Sequence, residues 1–556
     1  GCPCRGSSLL FGNSPGSLPW TNLKIRRMKP VIRAPGAHGE LACDPPLPDL
    51  PKLLGQSASS DKARESWHGR LRSQARQEFS RNLPEHFHEV DLDRPWVGTG
   101  HQPELFHPGV WAKNFIAGGM GAALGNPSLN VVIDTDSPKE MGIRLPDLAV
   151  TEQPRRSILC PFTNQSSGTP WAQIPVNPDY LGLFARKLED WAEQASFFPL
   201  AKDWLGILKT NQSCFAKSPI WVCFQRARTQ VEAAWGLCQP SLPMSQISRF
   251  NSFHGLIRHF LMDLGRGRRT YNEALDSFRA FHQITTPGRP VPNLEERDDG
   301  WGEAPLWILE GDSKNRGRLW IKEEKGGFLL AAAPNNPCPH SIRGDVETGL
   351  ERLAESGVIL WPRALFTTLY LRTFVFDWFV HGIGGALYDQ ITEDWAARWL
   401  KISPGPIVAA SLTLRLPLAP ARSGQKVLRN AQHLQHHLHW NPDLLLAPSQ
   451  KDQQNDLMAE LLRLRGENPE PGTAAKRRFH AIRKLIERLR DNTRGPLDVG
   501  WDRVARLRDF VREEQLVNNR EFAYPLHPIE SLRKHLEPLL QLRETAPGVC
   551  DQHALA

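Results

Sequence analysis

The chain has 556 residues, 40% of them hydrophobic, and a formal net charge of +8. That length holds core for roughly three to four domains, and the modest positive charge favours anionic ligands without calling for nucleic acid. The best membrane-span candidate, Ala364 to Val380, is too short and carries Arg372 and Asp377, while nine dispersed cysteines fit reduced thiols in a cytoplasm better than a disulfide framework.

In chain order, residues 1–27 are rich in Gly, Ser and Pro, and Met28 is the expected natural start. The proline-rich style runs on to residue 60, so 1–60 reads as a disordered or extended segment. A polar helix is expected from Ser60 to Asn82. The stretch from Trp96 to Asp136 then reads as strand, glycine turn, helix, strand. Gly98, Thr99 and Gly100 form the turn, Val110 to Leu124 the helix, and Leu129 to Ile133 an apolar strand ending at Asp134 and Asp136. A glycine turn ahead of a helix N-terminus offers backbone N–H groups to an anion, at the sheet edge where open parallel sheets bind ligands.

Residues 150–300 read as a helical insertion, amphipathic at Tyr180–Gln194 and at Phe253–Phe281. The period changes near 305–332, where two apolar runs flank a turn and form a β-hairpin module. Val358 to Pro362 is a candidate buried strand, Ala364 to Val380 an apolar helix, and His381 to Gly385 a flexible loop before a helix from about Ala386. In the tail, Phe479, Ile482, Ile486 and Leu489, then Val504, Leu507 and Val511, repeat at steps of three and four. Asp491 to Pro496 separates the two runs, which gives an antiparallel helical hairpin or coiled coil over 421–556.

Several of these residues carry candidate chemistry. His101 could donate to phosphate or carboxylate oxygens beside the backbone N–H groups, with Gln102 orienting a ligand and His107 and Lys113 close to the helix start. Its bland alternative is a turn histidine bonded to backbone. Asp134 or Asp136 could hold a ribose hydroxyl, an ammonium or magnesium, or could simply cap a turn. Asp377 and His381, four apart on the expected apolar helix, would share a face, letting Asp377 orient the imidazole, with Tyr388 and Asp389 behind the glycine loop. The alternative there is a structural ion pair, since buried charges need partners. Neither glycine cluster completes G-x-G-x-x-G, which argues against nicotinamide chemistry. His433, His436, His437 and His439 sit in a Gln-rich helix without a nearby carboxylate or thiolate, and no metal site is assigned. Lys476 to Arg478, with Arg483 and Lys484, reads as the wet face of a helix rather than a nucleic-acid surface.

Thr99 to Phe106 resemble, almost residue for residue, the Thr-Gly-[Gln/His]-Gln-Pro-x-Leu-Phe segment that opens the core of the bacillithiol-synthesis cysteine-adding enzymes. Asp134 and Asp136 stand where that family has an acidic cluster. Ile383-Gly384-Gly385, with Arg363 upstream, resembles its later glycine loop, and 473–517 its coiled-coil arm. The chain departs from the family in the offset of Lys113, in lacking a histidine in the acidic cluster, and in lacking a glutamate after the glycine loop. The resemblance implies an α/β fold with a Rossmann-like nucleotide core over 61–420, large helical insertions and a helical arm. It further implies a cytoplasmic ligase that joins a cysteine-like amino acid to an amine by nucleotide-assisted carboxyl activation. The cofactor stays open, with ATP and magnesium as candidates; a small anionic substrate and a homodimer through the arm complete the expectation. The contrasting reading is a non-catalytic helical binding or assembly protein with a degenerate core.

Overall fold

A computed structural model describes residues 32–542 except 56–65, 88–89, 150–154, 167, 211–217, 312–315, 335, 337–338, 420–424 and 469–471. The expected start at Met28 lies outside the described residues. The chain is mixed α/β. Its central sheet has six strands in the order Leu41–Asp44, Ile407–Leu412, Trp378–Gly382, Val97–His101, Leu129–Val132, Ser241–Pro243. Five run parallel, and only the edge strand Leu41–Asp44 is antiparallel, so part of the expected extended N-terminal segment is sheet.

Strand alternation splits the side chains between two cores. Val97, Val132, Val380 and Ala410 face one, packed with Trp111 and Phe115 of the helix Pro108–Leu124. Leu129, Val131 and Phe379 face the other, packed with Ile391 and Trp395 of the helix Ile383–Trp399. Pro108–Leu124 starts on Pro108 at N1 and stops at Gly125 in the left-handed region (φ 67°), which a side chain would disfavour.

The connectivity sets the site. From Val97–His101 the chain moves outward to Leu129–Val132 and then Ser241–Pro243. From Trp378–Gly382 it moves the opposite way to Ile407–Leu412. The winding therefore reverses between Val97–His101 and Trp378–Gly382, and the carboxyl ends of those two strands are where an open parallel sheet has its ligand crevice.

A second sheet of five antiparallel strands joins Trp301–Glu310, Gly317–Glu324, Gly327–Ala331, His340–Arg343 and Val358–Pro362. The expected hairpin is its middle, and Val358–Pro362 pairs with Trp301–Glu310. The insertion is helical as expected, at Pro178–Gln194, Ala201–Thr210 and Ile220–Ala234, while Phe253–Phe281 divides at Asp263 into Asn251–Met262 and Leu264–His282. Trp67–Arg81 takes the place of the helix expected from Ser60.

Two expectations fail. The apolar run 364–380 is no single helix: Ala364–Tyr370 is helical, Leu371–Val375 is a π turn, and Trp378–Gly382 is a strand. Aromatic and β-branched residues such as Phe379 and Val380 fit a strand buried on both faces, and periodicity alone does not separate that from a buried helix. In the tail, Thr473–Val517 is one 45-residue helix that continues through Gly495 and Pro496. Its antiparallel partner is Gln425–Trp440, joined by Gln435 to the Leu497 carbonyl (2.8 Å) and Arg490 to the His439 carbonyl (2.8 Å). Asn455–Gly466 adds Leu461 and Leu464 to the arm's own small core. Beyond the arm the chain returns to the body, where the Tyr524 N–H donates to the Phe106 carbonyl (2.8 Å).

Candidate functional site

The sequence places His101 and His381 nearly three hundred residues apart; neighbouring strands bring their backbones together, with the His101 ring packed on Phe106 on one face of the sheet and the His381 ring on Phe379 on the other. Trp378, Phe379 and Val380 pair with Val97, Gly98 and Thr99. Continued by two residues, that register sets His381 opposite Gly100 and Gly382 opposite His101. Lys113 rises from the helix below and donates to the Gly100 carbonyl at 2.9 Å. Its aliphatic stem lies beside Gly382.

Lys113 is 1% exposed, and among the described residues no carboxylate stands within salt-bridge reach of it. Burial, helped by the nearby Arg228, pulls its pKa from 10.5 down to about 7. Both imidazoles are held neutral. Burial lowers His101 well below its ordinary value and Lys113 lowers it further, outweighing its bond to Gln102. Burial lowers His381 to about 4, with Lys113 and Arg372 adding to the effect and Asp389 opposing it.

His101 Nδ1 lies 3.0 Å from the Gln102 carbonyl oxygen. A carbonyl only accepts, so Nδ1 carries the proton and Nε2 keeps its lone pair. Both imidazoles are partly exposed at the crevice.

The two helices that begin at this edge differ. Pro108–Leu124 is closed: His107 is its N-cap, accepting from the Gly109 N–H at 3.1 Å, and Arg520 and the Leu412 carbonyl crowd Gly109. Burial and the neighbouring Arg520 lower His107 to about 3. By contrast, Ile383–Trp399 starts at Gly382 without a side-chain cap. The expected flexible loop is thus this helix's first turn. Gly384 is exposed with open space around it, and Gly385 lies directly under the His381 ring. Free N–H groups and the positive helix end face the crevice there.

Other expected site residues are placed differently. Gly98 and Gly100 are in the strand rather than a phosphate turn: a Cβ on Gly98 would strike the Phe376 ring, and one on Gly100 would come 2.9 Å from the Val131 carbonyl oxygen. Thr99 is fully buried, its hydroxyl donating to the Val380 carbonyl (2.9 Å). Asp377 does not orient His381. It stands at the opposite end of the Trp378–Gly382 strand, bound by Arg72 (2.5 Å), Arg76 and the Trp96 N–H (2.7 Å). Its role is the structural ion pair.

Asp134 is 1% exposed and takes the Ser245 N–H (2.9 Å) and hydroxyl (2.5 Å). Burial raises its pKa to about 6 against the pull of those bonds. Asp136 accepts from Gln102 (3.1 Å), the Ser137 N–H (3.0 Å) and Arg316. Both carboxylates are therefore engaged, Asp134 in the interior and Asp136 with its side chain 39% exposed. Arg363 pairs with the fully buried Glu303 in the second sheet. Tyr388 is exposed beside Phe278. Asp389 holds Arg372 at 2.6 Å; burial raises its pKa, but Arg372, His381, Thr368 and Thr392 together bring it below the usual range.

Arg316 was missed by sequence reasoning. It immediately precedes the strand Gly317–Glu324, and only the packing of the second sheet and the helices around one shared core brings it to Thr135 and Asp136. No local motif announces that. In the arm, Arg478 is bonded to the carbonyls of Leu464 and Arg465 and Arg483 pairs with Glu487, as a wet helix face would be. His439 packs on Trp440 and Trp501. No described helix is long and apolar enough to cross a membrane.

No protein-family model and no curated protein matches the chain.

Proposed function

We propose that the chain is a cytoplasmic, ligase-like enzyme with a Rossmann-like nucleotide core, joining a cysteine-like amino acid to an amine acceptor. One observation carries the reading: a fully buried lysine that has no carboxylate partner among the described residues lies against Gly100 and Gly382, where two parallel strands meet at the winding reversal of the sheet. A buried ammonium is costly unless it sheds its proton or meets an anion. A carboxylate or phosphate entering the crevice would meet Lys113 and the open N-terminus at Gly384 and Gly385.

For the reaction, His101 Nε2 is the acceptor for the proton that the attacking amine gives up. Lys113 and the N–H groups of the Ile383–Trp399 helix would stabilise negative charge on the carboxyl oxygen during attack. The phosphates of a nucleotide fit that helix end. Ser245 binds both oxygens of the buried Asp134, so that carboxylate does not fit magnesium. A bound nucleotide would supply the free energy of carboxyl activation. Exposed Leu462, Phe479 and Val499 on the arm support a homodimer through that element.

A second reading, a non-catalytic binding protein, is favoured by those same engaged carboxylates. Isothermal titration of the full chain with ATP and magnesium separates the two. The enzyme reading expects binding heat that weakens roughly tenfold or more in His101→Ala. Absence of heat, or heat unchanged in that variant, would favour the binding protein.

A further inference from the structure

We propose that Arg316, from the second sheet, is a positioning residue that fixes which nitrogen of His101 carries the proton. The proposal rests on the reading of His101 as the base. Its argument is a chain of bonds across two sheets. The Arg316 guanidinium donates to the Thr135 carbonyl (2.5 Å) and to the Asp136 carboxylate. It also lies 4.4 Å from the centre of the Trp307 ring, so it is held from below as well. Asp136, anchored by Arg316 and the Ser137 N–H, accepts from the Gln102 amide at 3.1 Å. Gln102 is the first residue beyond the strand, where no ladder bond holds the chain. Its side chain is therefore the tether that orients its own carbonyl. That carbonyl takes the proton of His101 Nδ1 at 3.0 Å and leaves Nε2 basic towards the crevice.

Without Arg316, Asp136 keeps only the Ser137 N–H as an anchor, the Gln102 tether slackens and the two neutral tautomers approach each other in population. The arrangement also makes the site composite: the parallel sheet supplies the base, and the antiparallel sheet sets its protonation pattern.

The test is the pair of imidazole nitrogen resonances of His101 in the full chain labelled with 15N-histidine, assigned by their loss in His101→Gln. In the parent protein at pH 7.5 the pattern expected is protonated Nδ1 and bare Nε2. In Arg316→Ala the tautomer ratio should fall roughly fivefold to tenfold, the worth of one hydrogen bond. Gln102→Ala should give the same fall with Arg316 and Asp136 still paired, and it serves if the first variant does not fold. The double variant should add nothing, since both substitutions cut one chain of bonds. Resonances unmoved in folded Arg316→Ala or Gln102→Ala would overturn the proposal. The readout needs no substrate, so a tautomer shift in a chain that gives no heat with ATP and magnesium would sink the ligase reading and leave the positioning role standing.

Discussion

Replacing Lys113 with methionine removes a buried ammonium of similar length from the crevice floor. The lysine is 1% exposed and its pKa falls from 10.5 to about 7. At 1.36 kcal/mol per pKa unit, that difference corresponds to about 5 kcal/mol of penalty for the charged form in the folded chain. The single hydrogen bond to the Gly100 carbonyl returns about 1–3 kcal/mol. The sign follows from proton counts. Between pH 7 and pH 10.5 the unfolded chain holds the lysine proton and the folded chain does not, so stability from this group rises with pH across that window. Below pH 7 both states are charged and the whole penalty stands. The methionine variant should therefore be roughly 2–4 kcal/mol more stable at pH 6, with the advantage shrinking to nothing or reversing slightly near pH 10. Urea unfolding of parent and variant at both pH values measures the difference. A variant destabilised equally at both would show that Lys113 is compensated in the folded chain, and the argument for an anion in the crevice would fail.

Asp377→Ala should cost about 3–5 kcal/mol in urea unfolding, because it strands the buried Arg76 and the neighbouring Arg72; in the fraction that folds, the heat with ATP and magnesium should be unchanged, since this carboxylate is remote from the crevice. Gly385→Ala places a methyl 1.8–2.8 Å from the His381 ring atoms, so the imidazole must move; unfolding should change little while nucleotide binding, read by calorimetry, weakens. Asp134 titrates near 6 instead of 3.8, so the stability it contributes is fully present below pH 3.8 and lost as pH rises through 6. Asp134→Asn should accordingly gain up to about 3 kcal/mol at pH 7 and nothing at pH 3.5, measured by denaturant unfolding.

How much of this was legible depended on the range over which each signal acts. The helix expected over Val110 to Leu124 and the strand Leu129–Val132 were readable because small-residue spacing and an apolar run act locally; the structure starts the helix two residues earlier, at Pro108. The Gly98–Gly100 stretch was misread as a turn because glycine signals both a turn and a close approach. Here the approach is to Phe376 and Val131, which only the packed sheet reveals. The 364–380 run was ambiguous for a related reason: a strand buried on both faces lacks the alternation that would mark it. Asp377 and His381 therefore seemed to share a helix face when a strand holds them near opposite ends. That the strands ending at His101 and Gly382 adjoin is a property of strand order, which no local signal carries. Arg316 reaches Asp136 only through the packing of both sheets and the helices around one core, and no window of sequence contains that.

If the adjoining ends of Val97–His101 and Trp378–Gly382 form a single anion-binding crevice over Lys113, photolabelling of the full chain with an azido-ATP, followed by peptide mapping, will reveal it. The expected result is label on peptides from both 97–113 and 378–389, suppressed by excess ATP and lost in Lys113→Met. Label confined to the helical arm at 425–517, or undiminished in that variant, would contradict the account.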